Sequence, residues 1–226
     1  MRTELDFSSI LPYVDVLLAG LWLTIQLTLA STALGILLGI AGAAGRTCRY
    51  RWVNKLTGAY VEAIRNTPFL IQLFFIYFGV SSVGVRLSAT EAALLALTIN
   101  LGAYATEIIR AGIEAIHKGQ VEAAQSLGLS PFQTFRHVII LPALEKVYPA
   151  LTSQCIIVML GSAVVSQISV EELTFAANFI QSRSFRGFEV YLVITLAYLA
   201  LSISMRQIFK IAGRYAFPNH RLRRDG

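Results

Sequence analysis

The sequence predicts an all-α, polytopic membrane protein of about five transmembrane helices, and three observations carry that prediction. Charged residues make up only 14% of the 226-residue chain against 55% hydrophobic ones. Five long stretches contain no Asp, Glu, Lys or Arg, and cations gather in every second gap between them. A soluble domain carries about 25% charged residues because its surface must be wetted. With a mean hydropathy of +0.62, this chain turns most of its surface to a non-aqueous solvent. Its net charge of +6 fits loops against an anionic leaflet rather than nucleic acid.

The charge-free stretches are 16–45, 66–85, 92–106, 147–170 and 190–205, of 30, 20, 15, 24 and 16 residues. A helix needs roughly 20 mostly apolar residues to cross the hydrocarbon. The first, second and fourth suffice alone, while the third and fifth borrow flanking residues. Each must be helical, because a separate segment in lipid has to satisfy its own backbone polar groups. The spans fall at about 16–44, 58–80, 89–110, 143–167 and 188–208. They lie in a transmembrane domain of 16–212, preceded by a segment of 1–15 and followed by a basic tail of 213–226.

Charge sets the orientation. The first inter-span loop holds Arg46, Arg49, Arg51 and Lys55 with no acid, and the tail holds Lys210, Arg214, Arg221, Arg223 and Arg224 against Asp225. On the opposite side Arg2 faces Glu4, Asp6 and Asp15, Arg86 faces Glu91, and Arg183 and Arg186 face Glu171, Glu172 and Glu189. The positive-inside rule then puts the N-terminus outside and the C-terminus inside. Acids before the first stretch and cations after it are the reverse of a cleaved signal, so it reads as a retained span. Ser31, Gly35 and Gly39, followed by Gly42 and Gly45, read as a close-packing seam within the chain, with a subunit seam as the alternative. Cys48, Cys155 and the three histidines have no ligand spacing, so neither a disulfide framework nor a metal site is expected.

The connection 110–146 is far more polar than a connector needs to be. Residues 120–127 are rich in helix formers, and Gly128 stands where a helix-ending glycine belongs. Ser130, Pro131 and Gln133 then spell the N-cap, first position and capping box of a second short helix, which Pro142 is expected to interrupt. Pro149 is expected to disturb the entry to the fourth span. Val121, Ala124 and Leu127 share one face of the first short helix, with Gln120, Glu122 and Ala123 turned elsewhere. Such a hairpin reads as a docking surface for a cytoplasmic partner, or else as an amphipathic pair lying on the lipid.

Glu122-Ala123-Ala124, Gly128 and Ile139-Ile140-Leu141-Pro142 resemble the E-A-A loop of ATP-binding-cassette importer permeases. Ten residues separate Gly128 from Ile139 where the pattern has nine, so Val138 holds the expected place. The run from Arg65 to Gly79 (RNTPFLIQLFFIYFG) is similar to that of the polar amino-acid permeases of histidine, glutamine and arginine type, with Asn66 where Gly is usual. Residues Gly102 to Gly112 (GAYATEIIRAG) are similar to the third-span signature of the same group. The resemblance covers about residues 16 to 212 and implies a type I importer permease in the bacterial inner membrane. It makes 115–142 a coupling loop that seats Gln120, Glu122, Ala123, Ala124 and Gly128 on a cytoplasmic ATPase dimer. It further implies a second permease subunit, a periplasmic substrate-binding protein that delivers a polar amino acid, and no nucleic acid. This chain needs no cofactor of its own, because ATP and Mg belong to the ATPase. Consistently, no G-x-x-x-x-G-K-[ST] phosphate loop is present.

Polar residues inside spans are expensive and are therefore functional candidates. The second span carries Glu62, Arg65, Asn66 and Gln72, the third Asn100, Glu107 and Arg110, and the fourth Gln154, Ser162, Ser166 and Gln167. Gln72, Asn100 and Gln154 can offer donors and acceptors to a zwitterion without leaving a charge in an empty pocket. The alternative for each is an interhelical hydrogen bond. Glu62–Arg65 and Glu107–Arg110 have the i,i+3 spacing of structural pairs. Nothing groups as a catalytic constellation, so the chain reads as a transport subunit and not an enzyme. An ATP-independent transporter or channel, and less so a membrane-embedded enzyme, are the competing readings.

Overall fold

The computed structural model describes residues 5–217, so the parts of the N-terminal segment and basic tail at 1–4 and 218–226, with Arg2, Glu4, Arg221, Arg223, Arg224 and Asp225, lie outside the described residues. Those described form helices and no strand. Helix α1 (Val14–Arg46) is the first span. Next come α2 (Arg51–Arg65), α3 (Phe69–Ser82) and α4 (Ala89–Glu114), then the short α5 (Lys118–Ser126). Helix α6 (Pro131–Ile168), α7 (Leu173–Ser184) and α8 (Gly187–Ala216) complete the chain.

Four helices are long and apolar enough to cross a membrane, and a fifth crossing is the pair α2 and α3, bent by 112°. The second span, expected as one helix over 58–80, is thus broken. Pro68 has no N–H to continue the ladder and disfavours helix at the residue before it, so the chain turns extended there, with Pro68 at ψ 136°. The third and fifth charge-free stretches lie in helices of 26 and 30 residues. Arg51 and Lys55 belong to the first turns of α2, not to a loop.

A further expectation is corrected. Pro142 does not interrupt the helix that Ser130 opens: residues 131–168 run as one, and Pro149 lies inside it. A π-helical stretch, Phe135–Ile140, precedes Pro142 and shifts the hydrogen-bond register where the proline has no N–H to give. Between the fourth and fifth spans, α7 folds and packs against α1.

Helix α4 is the axis of the bundle. Leu97 and Leu101 on it are almost wholly buried, with Leu27 of α1, Leu73 of α3 and Val158 and Val165 of α6 around them. The small-residue seam of α1 faces α4 inside this one chain. A Cβ on Gly35 would fall 2.8 Å from the Leu101 side chain, and one on Gly39 would strike Ala105. In lipid, where burial carries no hydrophobic gain, such backbone approach supplies the dispersion contacts that hold helices together. A second cluster joins Ile10 to Leu173, Ala177 and Ile180 of α7 and Val190 and Ile194 of α8.

Candidate coupling surface and polar span residues

Every end of the hairpin between α4 and α6 is tied. Lys146 Nζ donates to the Ala115 carbonyl at 2.9 Å, closing the C-terminal end of α4. His117 Nδ1 accepts from Gly119 N–H at the start of α5. At its end Gly128 stands at φ +79°, Gly128 N–H reaches Gln125 O (2.9 Å) and Leu129 N–H reaches Ala124 O (3.2 Å). That pair of bonds is a Schellman motif, which needs the left-handed residue that glycine provides without a Cβ clash. Ser130 Oγ then accepts from Gln133 N–H, and Gln133 Oε1 accepts from Ser130 N–H at 2.9 Å. The turn from α5 into α6 is therefore fixed from both sides.

The hairpin divides its residues between inside and outside. Ala124 is 4% exposed, and Ile116 and Thr134 are likewise buried. Gln120, Glu122, Ala123 and Gly128 all face out. Leu127, placed by spacing on the face of Ala124, is instead 81% exposed, and Phe132 is 69% exposed. The helix ends in the turn containing Leu127, so its side chain leaves the inward stripe. Two large apolar groups thus stand on the outer surface of a polar hairpin, and of the two the sequence pattern named only Leu127, on the inward stripe.

The polar residues of the second and third spans meet at the broken span. Gln72 Nε2 donates to Ile64 O (2.7 Å), Thr67 O (3.0 Å) and Thr67 Oγ1 (2.9 Å). Ile64 O is the carbonyl that an N–H at position 68 would have taken in an unbroken helix. Asn100 Nδ2 in turn donates to Gln72 Oε1 at 3.0 Å. Nearby, Tyr60 Oη donates to Ile99 O at 2.7 Å, pinning α2 to α4. Gln154 joins none of this, and among the described residues its side chain makes no hydrogen bond. Glu107 and Arg110 pair as their spacing predicts, at 2.5 Å, and Arg110 also reaches Glu114. Glu62 and Arg65 make no ion pair; Arg65 lies over the Tyr104 ring at 5.5 Å.

A further polar centre was counted in the sequence only as loop charge. Glu172 is wholly buried at the head of α7. Its carboxylate accepts from Thr174 N–H (2.8 Å), Phe175 N–H (3.0 Å) and Tyr198 Oη (2.6 Å). Leu173 N–H beside it donates to Thr24 Oγ1 of α1 at 3.2 Å. One carboxylate thus caps α7 and fastens it to α8, while its neighbour ties α7 to α1. Burial raises its pKa above the ordinary carboxylate value, opposed by those three donors.

A bundle of five crossings, one of them broken and braced, with a rigid capped hairpin outside the spans, defines a membrane permease without a catalytic centre of its own among the described residues. Residues 31–214 match the model of the binding-protein-dependent transport system inner membrane component, and the chain belongs to that family. It is 34% identical over 205 residues to the probable glutamine ABC transporter permease protein GlnM of Bacillus subtilis, covering 91% of this chain and 93% of GlnM. It is 32% identical to the glutamine transport system permease protein GlnP of Escherichia coli K12, covering 92% and 95%. The nopaline transport system permease protein NocM of Agrobacterium fabrum is 32% identical over 232 residues, covering 98% and 96%. The structure of an amino acid ABC transporter crystallised with histidines superposes with a TM-score of 0.88 at 36% identity, over 94% of this chain and 100% of that one. The inward-facing MetNI methionine transporter shares the fold, with a TM-score of 0.73 at 21% identity. The chain is a type I importer permease, a transport subunit whose family works with a separate ATPase and a substrate-binding protein.

Proposed function

We propose that this chain carries a polar amino acid of the glutamine or histidine class across the bacterial inner membrane, paired with a second permease subunit and driven by an ATPase dimer on its coupling hairpin. The N-terminus faces the periplasm, where the binding protein delivers the substrate, and the C-terminus faces the cytoplasm. The observation that carries the reading is the hairpin: a helix locked at Gly128 and Ser130, with Leu127 and Phe132 turned outward. A force-transmitting contact must be rigid in itself and adhesive on its outer side, and this one is both. Gln120, Glu122 and Ala123 complete the surface offered to the ATPase.

For the substrate path we propose Gln154 as the primary contact, because its amide, unlike those of Gln72 and Asn100, is not already engaged. Gln72 and Asn100 contribute by fixing the broken span beside the path. The relatives named for glutamine and nopaline transport, and the histidine-bound transporter structure, support the substrate class. The deciding experiment reconstitutes the permease with its ATPase and binding protein in vesicles and measures ATP-dependent uptake of labelled glutamine, histidine and arginine. Uptake of one or more of these that vanishes without the ATPase is expected; uptake that persists without the ATPase, or none for any polar amino acid, overturns the proposal.

A further inference from the structure

We propose that the groove between α6 and α8, at the end of the bundle nearest the coupling hairpin, binds an anionic phospholipid, with its headgroup on Arg206 and Lys210. The groove encloses about 590 Å³. Arg206 and Lys210 line it from α8, four residues apart and so on one face. Both are exposed, and neither has an ion-pair or hydrogen-bond partner among the described residues. Glu145, an acid on α6 one turn from Tyr148, makes no ion pair with either. Two unmatched cations at a membrane interface are the arrangement that recruits a lipid phosphate.

The rest of the groove has the proportions of one leaflet. Its α6 wall runs from Pro149 through Ile156 and Ile157 to Leu160. That is about 16 Å at 1.5 Å per residue, against about 15 Å for half of a 30 Å hydrocarbon core. Ser202 lies one turn deeper than Arg206, at the depth of the glycerol esters, where a hydroxyl can donate to an ester carbonyl. Thr152 Oγ1 is already satisfied by Pro149 O at 2.9 Å, so of the two hydroxyls on the α6 wall only that of the exposed Ser153 is left without a partner among the described residues.

The groove is also held at a set width. Tyr148 Oη donates to Phe209 O at 2.6 Å, bridging the two helices at its foot. The Tyr148 ring packs onto Gly213 so closely that a Cβ there would fall 2.6 Å from it. The inference rests on the orientation proposed above, which puts this end of the bundle in the cytoplasmic leaflet.

The test uses the assembled permease–ATPase complex, stripped of lipid in detergent and titrated with phosphatidylglycerol or phosphatidylcholine. Native mass spectrometry counts the lipids retained. Wild type is expected to retain phosphatidylglycerol over phosphatidylcholine, and Arg206→Ala with Lys210→Ala to lose that preference by about tenfold or more. Ile157→Trp, which fills the groove and keeps both charges, is expected to weaken phosphatidylglycerol as well, and it decides the matter if the double variant fails to assemble. Equal phosphatidylglycerol retention by the variants and wild type overturns the site. So does disulfide cross-linking between two copies bearing Ser153→Cys, because the groove is then closed by a second permease. Lipid retention is read without transport, so failure here leaves the substrate reading standing, and failure of uptake leaves this one standing.

Discussion

Asn100 donates to Gln72 at 3.0 Å, and through that bond the third span holds the bend of the second. Gln72 spends its own N–H groups on Ile64 and Thr67, the carbonyls beside the break at Pro68. The polar pair therefore does for the backbone what the missing proline N–H does not. Unpaired carbonyls in a dry bundle cost on the order of 1–3 kcal/mol each, so the brace is worth keeping for the fold alone. Gln72→Leu is expected to lower the melting midpoint of the purified permease clearly, and Asn100→Leu by less, since it leaves the donors of Gln72 in place. A Gln72→Leu protein as stable as wild type but unable to transport would make Gln72 a substrate contact instead.

The hairpin prediction follows from which residues face out. Leu127→Glu with Phe132→Glu is expected to leave the chain folded and inserted while abolishing ATPase pull-down. Gly128→Asp is expected to act through the turn, because a side chain at φ +79° costs about 1 kcal/mol or more. Ala124→Arg is a poor probe of docking, since Ala124 is buried within the hairpin itself. ATPase binding and substrate-stimulated hydrolysis that survive the double glutamate change would remove the docking role from this surface.

Gly39→Leu tests the seam between α1 and α4. The added side chain strikes Ala105, and overpacking of this kind typically costs about 1–3 kcal/mol. The expected result is a lower melting midpoint for the isolated permease. An effect seen only in the assembled dimer would place the seam between subunits.

Glu172 predicts a pH dependence of defined sign. Its folded pKa lies above the ordinary carboxylate value of 4.5 because burial disfavours the charge. The folded state then holds its proton more tightly than the unfolded chain. Its contribution to stability is complete below about pH 4.5 and is lost as the pH rises through its folded value. Glu172→Gln keeps an acceptor for the two N–H groups of α7 and cannot titrate. Melting curves across this range should show wild type losing stability relative to the Gln variant as pH rises; a constant difference would mean that the folded and unfolded pKa values coincide.

Much of this was legible in the sequence, for physical reasons that vary from residue to residue. Gly128, Ser130 and Gln133 state their local geometry outright, since a left-handed turn and a capping box depend only on neighbours in the chain. Charge-free length and loop charge likewise give the number of crossings. Pro68 announces an irregularity, yet its outcome depends on Gln72 and Asn100, and the pairing across 28 residues is a tertiary fact. Pro142 signals a break just as loudly, and there a π-helical turn absorbs it. Glu172 was hidden because a carboxylate beside Glu171 in a polar stretch reads as solvated, and only the fold puts Tyr198 and Thr24 around it.

The continuity of α6 has a mechanical consequence. A helix of 38 residues is about 57 Å long, and this one begins at the Ser130 cap of the hairpin and ends four residues before the buried carboxylate that anchors α7. It is a connecting rod with no slack joint between the hairpin and the far end of the span at Ile168. Its hydrogen-bond ring size changes at two places, the π turn at Phe135–Ile140 and the 3-10 stretch at Ser162–Ile168, and there the rod can rotate a little about its own axis. In the docking role proposed for it above, a push on the hairpin reaches the other end of α6 as a tilt or twist of the whole rod and passes to α7 through the short turn at 169–172 alone.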